Sequence, residues 1–181
     1  MRRRLITILV LALGLLLFTA QASLAQSPHF KKNGEPVCTV STSGASSSTT
    51  CSASLAGLGN GDLLIEVTVS GFAVYQCQNQ GGNTAPGQNK VLVGPVTAPT
   101  TIPGDQIKNG NVSFTTDPAV LTAPGTVTGA EAGCPNPNWT GVNPTLTTTN
   151  ISMTISQGGV LLFTCTASNP NGLSGRVPLA C

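Results

Sequence analysis

Charge is scarce in this chain: 8% of its 181 residues are Asp, Glu, Lys or Arg. Aromatics make up 4%, with one Trp, one Tyr and five Phe, and His29 is the single histidine. No stretch keeps a helical hydrophobic period, and no Cys-x-x-Cys pair occurs. Each shortage excludes something. Three of the eight basic residues, Arg2, Arg3 and Arg4, lie in a segment read below as a removable leader. Beyond it Lys31, Lys32, Lys90, Lys108 and Arg176 face Glu35, Asp62, Glu66, Asp105, Asp117 and Glu131, a net charge of about −1. Nucleic-acid binding is excluded, because it needs clustered Lys and Arg to displace counterions. A basic membrane-surface patch and an acidic tail are excluded too.

What the chain does have is an exported look. Residues 1–25 read as a secretory signal: the basic Met1–Arg4, then an apolar run from Leu5 to Ala20. That run is short for a bilayer span, which needs about 20 residues. Small residues offer cleavage after Ala22 or after Ala25, the second preferred. No cysteine lies near these points and no apolar tail follows Arg176–Cys181, so neither terminus is expected to carry a lipid anchor. The expected product is a secreted, extracellular protein with no integral membrane segment after cleavage.

The mature chain reads as all-β. Thr, Val and Ser are abundant and alternate with period two. In Asp62–Ser70, Leu63, Ile65, Val67 and Val69 face one way, and Leu64, Glu66, Thr68 and Ser70 the other. A second strand is expected over Phe72–Cys77 after a break at Ser70-Gly71, a third over Lys90–Val96, and a short one at Val112 and Phe114. Thr145–Ser156 and Val160–Thr166 flank Gln157-Gly158-Gly159, the best hairpin signal in the chain. Only Asp105–Asn109 is expected to make a helical turn, with Asp105 as its cap. The expected organisation is a signal peptide over 1–25, a flexible segment over 26–35 and one domain over 36–181. That domain is read as an immunoglobulin-like antiparallel β-sandwich with three disulfides, with a small β-barrel as the alternative. Its outer positions are mostly Thr, Ser, Asn and Gln, which suits self-association.

Six cysteines, an even count in an exported domain, read as three disulfides. If Gly44-Ala45 is a two-residue turn, Ser43 faces Ser46 and Cys38 falls opposite Cys51. A turn near Leu173 brings Cys165 to Cys181. Cys77 and Cys134 remain for each other. A metal or redox role is disfavoured by the spacing and by the lone histidine, so no metal and no cofactor are expected.

Catalytic signals are weak. His29 sits near the mature terminus and no Gly-x-Ser-x-Gly is present. The six acids are isolated in sequence, and no pair shows the spacing of a glycosidase. Asp117 precedes Pro118 and reads as a turn residue. The protein is therefore expected not to be an enzyme, and a hydrolase with carboxylates paired only in space is the remotest alternative. Trp139 and Tyr75 both fall near the expected Cys77–Cys134 bridge, where rings commonly pack into the core. The rival reading is a ligand patch built from Trp139, Asn136, Asn138 and the loop Asn79–Asn89. Asn111, Asn138 and Asn150 each open an Asn-x-Ser/Thr pattern.

Two segments carry a resemblance: Tyr75-Gln76-Cys77-Gln78-Asn79-Gln80-Gly81-Gly82-Asn83, followed by Ala85-Pro86-Gly87-Gln88-Asn89-Lys90, and Ala132-Gly133-Cys134-Pro135-Asn136-Pro137-Asn138-Trp139. Over roughly residues 57–163 the chain resembles a group of small secreted bacterial proteins frequent in actinomycete-type genomes. The resemblance implies a bacterial host and is consistent with a Cys77–Cys134 bridge. It implies no activity, and the pairs Cys38/Cys51 and Cys165/Cys181 depart from the group's pattern. The resulting expectation is a non-enzymatic structural or interaction protein of the cell surface or extracellular matrix. Cell-envelope polysaccharide or a second copy of the chain are its expected partners. The alternative is a polysaccharide- or small-ligand-binding module using the loops near Trp139 and Asn79–Asn89.

Overall fold

Alternating apolar and polar residues make strands with one wet and one dry face. The computed structural model describes residues 27–181; the expected signal peptide and its cleavage points lie outside the described residues. The strands are β1 (His29–Phe30), β2 (Val37–Ser43), β3 (Ser46–Ala56), β4 (Leu63–Gln78), β5 (Thr84–Pro86) and β6 (Val91–Ile102). They continue as β7 (Val112–Thr115), β8 (Ala119–Thr122), β9 (Val127–Thr128), β10 (Thr140–Gln157), β11 (Val160–Ser168) and β12 (Gly175–Pro178). All pairings between them are antiparallel.

They form two sheets, and the fold is an all-β, antiparallel sandwich. In the first, β12 pairs β2 and β2 pairs β3. Leu55 of β3 pairs with Phe30 and also with Val112, so β1 continues along the β2 edge while β7 and β8 line the other. In the second, β10 and β4 are central; β11 and β9 flank β10, and β6 and β5 flank β4. The facing sides enclose Leu55 and Leu121 from the first sheet and Leu63, Ile65, Val67, Ile151, Met153 and Ile155 from the second, all fully buried. Each such side chain contributes about 1.5–3 kcal/mol by leaving water.

Both expected hairpins form. Only Gly44 has positive φ in the β2–β3 turn, and Cys38 lies in register with Cys51, Cα atoms 3.9 Å apart. Gly158 and Gly159 both have positive φ (57° and 82°), the conformation that a type I′ turn requires, and they join β10 to β11.

The outer faces carry hydroxyls that bond across strands instead of charges. Thr68 pairs with Thr97 at 2.8 Å, Ser54 with Ser113 at 2.8 Å, and Ser168 donates to Asn150 Oδ1 at 2.8 Å. Such pairs stabilise a sheet by a few tenths of a kcal/mol to about 1 kcal/mol each.

Three expectations are corrected. First, β4 is one strand and runs through Ser70-Gly71 without a break, because the irregularities sit in its neighbours. The β10 pairing shifts between Thr148 and Asn150, and the β6 pairing between Val93 and Val96, on either side of Gly71. A Cβ on Gly71 would lie 2.0 Å from the Thr147 carbonyl oxygen, so the glycine is there to admit β10. Second, the turn near Asp105 is a short 3-10 helix, Gly104–Gln106; Pro103 is its cap and makes no side-chain cap bond. Third, a helical turn also forms outside Asp105–Asn109: α1 (Gly129–Ala132). The described residues of segment 26–35 make contacts with the sheet. His29 and Phe30 extend the sheet, Lys31 N–H donates to the Ser54 carbonyl at 2.9 Å, and the Phe30 ring lies 4.6 Å from that of Phe163.

The C-terminal strand ties the layers together. β12 belongs to the first sheet, yet Ala180 then pairs with Thr166 of β11 in the second. Cys181 thus falls opposite Cys165, Cα atoms 4.0 Å apart. The pairing matches the expectation, but the intervening chain detours through the other sheet.

Candidate functional site

The site lies at the end of β4. Cys77 there is joined to Cys134, Cα atoms 5.6 Å apart, across a separation of 57 residues. Local chemistry delivers Cys134 to that point. Thr128 caps α1 by accepting from Glu131 N–H, and the Glu131 carboxylate accepts in return from Thr128 N–H at 2.9 Å and Oγ1 at 2.7 Å. These two bonds, the hydroxyl's first, hold the Glu131 carboxyl below its ordinary pKa. Gly133 then turns left-handed, φ 68°, and Cys134 N–H closes on the Gly129 carbonyl at 2.7 Å. This is a Schellman ending, which glycine makes without strain.

Beyond each half-cystine, two residues on, stands an asparagine: Asn79 and Asn136. Each uses its side-chain oxygen to brace its own loop. Asn79 Oδ1 accepts from Asn83 N–H, and Asn136 Oδ1 from Asn138 N–H, both at 2.9 Å. Trp139 N–H donates to the Asn136 carbonyl at 3.0 Å. The following residue, Thr140, pairs with Gln78, so Trp139 comes up against Asn79. Gly129 lies beneath: a Cβ there would be 2.4 Å from the Trp139 carbonyl oxygen and 3.0 Å from that of Asn136.

The result is an open cleft of about 350 Å³ lined by Asn79, Gln80, Gly81, Asn136, Asn138 and Trp139. The structure thereby brings together Asn79, Asn136, Asn138 and Trp139, the four residues singled out in the sequence. Trp139 is half-buried and serves two ends, packing against the core while lining the cleft. Tyr75 is fully core; its hydroxyl donates to the Pro124 carbonyl at 2.8 Å, and burial, then the charge of Glu131, raises its pKa. The loop Asn79–Asn89 divides. Gln80 and Gly81 join the cleft, whereas Gln88 and Asn89 turn back to bond the Ala132 carbonyl and, through Asn89 Nδ2, that of Ala130. Gln80 carried no signal of its own beyond sitting in that loop. A second groove, about 300 Å³, lies among Val74, Gln76, Thr84, Pro86, Asn143 and Thr145.

The remaining candidates are dispersed. His29 is exposed, its Nδ1 2.8 Å from the Ser27 carbonyl. Asp62 Oδ1 accepts from Gly104 N–H at 2.8 Å, Asp117 is held by Thr100, and Glu66 stands on the outer face of β4. Among the described residues no three His, Cys, Asp or Glu side chains cluster as a metal site would require. Of the three Asn-x-Ser/Thr asparagines, Asn111 and Asn150 spend their side-chain amides on neighbours, while that of Asn138 makes no hydrogen bond among the described residues. No protein-family model and no curated protein matches the chain.

Proposed function

We propose that the chain is a non-enzymatic protein exported from a bacterial cell, with a structural or interaction role at the cell surface or in the extracellular matrix. One observation carries this reading: a disulfide pins two self-braced asparagine loops into an open, uncharged cleft at one end of the sandwich. Covalent bracing of a contact surface suits a compartment where thiols oxidise and persist as bridges. Rigid loops on a β scaffold are a common place for recognition, because the ordering cost is met before the partner arrives. The basic and apolar pattern of residues 1–25 supports export. The resemblance of the Tyr75–Lys90 and Ala132–Trp139 segments to secreted bacterial proteins supports the host.

The test is fractionation of a bacterial culture expressing the whole chain, with non-reducing peptide mapping. The expected product starts near residue 26, lies outside the cytoplasm with all three bridges formed, and adsorbs to isolated cell envelope. A cytoplasmic chain with free thiols would overturn export, and an exported chain indifferent to envelope or matrix would overturn the interaction role.

A further inference from the structure

We infer that the cleft between Asn79–Gly81 and Asn136–Trp139 binds an uncharged polysaccharide, taking one or two sugar units of the chain against the Trp139 indole. The inference rests on the interaction role proposed above and names its ligand class.

The lining chooses the chemistry. It holds amides and one aromatic, with no carboxylate, ammonium or guanidinium among its residues. A phosphate or uronate brought here would lose hydration and gain no cation, and a cationic ligand would find no anion. A purely apolar ligand would leave the amides unpaired. Sugar hydroxyls both donate and accept, and side-chain amides do the same.

The amides are presented rather than idle. Asn79 and Asn136 commit their oxygens to backbone N–H groups at 2.9 Å, which fixes each amide plane and leaves its NH₂ uncommitted. Among the described residues the Nδ2 groups of Asn79, Asn136 and Asn138, the Gln80 amide and the Trp139 indole N–H make no side-chain hydrogen bond, and all five residues border one cleft. A half-buried indole offers an apolar face for the C–H surface of a sugar ring and a polar edge for a hydroxyl. The volume, about 350 Å³, is at the small end for ligand sites. Because the cleft is open rather than enclosed, a polymer can pass through it. The bridge Cys77–Cys134 and the tight seat of Gly129 under the loop keep the donors in place, which lowers the ordering cost of binding.

The experiment titrates the secreted, disulfide-intact protein with neutral oligosaccharides of glucan, mannan and galactan type, and with polygalacturonate as the anionic control. Trp139 is the chain's sole tryptophan, so its emission reports the site directly. The expected result is a saturable shift with at least one neutral glycan and binding at least tenfold weaker to the anionic one. Trp139 also packs on the core, so the exposed Asn138→Ala and Gln80→Ala carry the mutational arm. Combined, they are expected to weaken binding about tenfold or more with the melting temperature unchanged. No shift with any neutral glycan, tighter binding of polygalacturonate, or wild-type affinity in the double variant would overturn the inference. Envelope adsorption that persists without glycan binding would leave the interaction role standing and place the contact elsewhere. Glycan binding without envelope adsorption would keep the site and remove the surface role.

Discussion

Thr148 and Ser47 meet in the buried interior, where Thr148 Oγ1 donates to Ser47 Oγ at 2.8 Å from β10 of one sheet to β3 of the other. Thr42 Oγ1 adds a second bond to the same oxygen at 3.2 Å. A hydroxyl pair in a dry gap is costly to break from one side only, since the orphan keeps its desolvation penalty. Thr148→Val is expected to cost about 1–3 kcal/mol, and the double variant Ser47→Ala/Thr148→Val less than the sum of its parts. Urea unfolding of the two single variants and the double closes the cycle. Strict additivity would show that the bond does not couple the sheets.

Thr49, the next inward residue of β3, is the opposite case. It is 1% exposed, and its Oγ1 has no partner among the described residues. Valine has nearly its shape without the unmet hydroxyl. Thr49→Val is therefore expected to stabilise the protein by up to about 1 kcal/mol, read as a higher urea midpoint at unchanged slope. A lower midpoint would mean that the hydroxyl is satisfied in solution.

The three disulfides should not weigh equally. In the chain-entropy account a bridge gains with the loop it closes, giving about 3 kcal/mol for separations of 13 and 16 residues and about 4 kcal/mol for 57. Replacing each pair by alanines should rank Cys77/Cys134 as the most damaging by chemical denaturation. That variant alone should also lose the cleft, because Asn79 and Asn136 are no longer held together. Equal losses from all three would point to native-state effects instead of chain entropy.

Strand identity and the bridges were legible for a common reason: both follow from counting along the chain. A period of two assigns Leu63, Ile65 and Val67 to the core, and a turn at Gly44 fixes Cys38 against Cys51. What escaped depends on non-local partners. Gly71 reads as a strand breaker until the neighbouring strands' irregularities beside it are known, and then it reads as a seat for β10. The Phe30–Phe163 contact likewise has no local signal, because the two rings are far apart in the chain. The helical turn α1 is too short to display a period, although its Thr128–Glu131 capping box was present in the sequence. The cleft residues are legible because a Trp and three Asn flank two cysteines. Gln80 is not, because a glutamine in a glycine-rich loop carries no signal of its own until the loop's direction is known.

Stability should fall at both ends of the pH scale for separate reasons. Glu131 has its folded-state pKa lowered from 4.5 by the Thr128 hydroxyl and N–H bonds. Its contribution is complete above the unfolded value and is lost as pH falls through the lower folded one. Tyr75 has its pKa raised above 10.0, by burial first and then by Glu131, so its contribution is complete below pH 10 and is lost as pH rises through the folded value. Glu131→Gln should flatten the acid limb of a melting-temperature profile, and Tyr75→Phe the alkaline limb. Each variant leaving its limb unchanged would show that other groups dominate there.

Gln157 ends β10 with its side chain turned inward, 8% exposed, and works as a latch on the loop before β4. Its Oε1 accepts from Gly59 N–H at 2.9 Å, while Nε2 donates to the Gly59 carbonyl at 3.0 Å and the Gly61 carbonyl at 2.7 Å. One amide thus satisfies backbone groups that the loop cannot pair by itself, in a buried place where leaving them unpaired is costly. Gln157→Ala removes the bonds and leaves a void; Gln157→Leu fills part of the void without restoring them. Both are expected to lose about 1–3 kcal/mol, with leucine recovering little. The distinguishing readout is hydrogen exchange at the Gly59 amide, which should accelerate in both variants while amides of the central β4 residues Ile65 and Val67 keep their protection relative to the new global stability. If leucine restored both stability and Gly59 protection, the loop would be held by packing around Leu58 instead of by the amide.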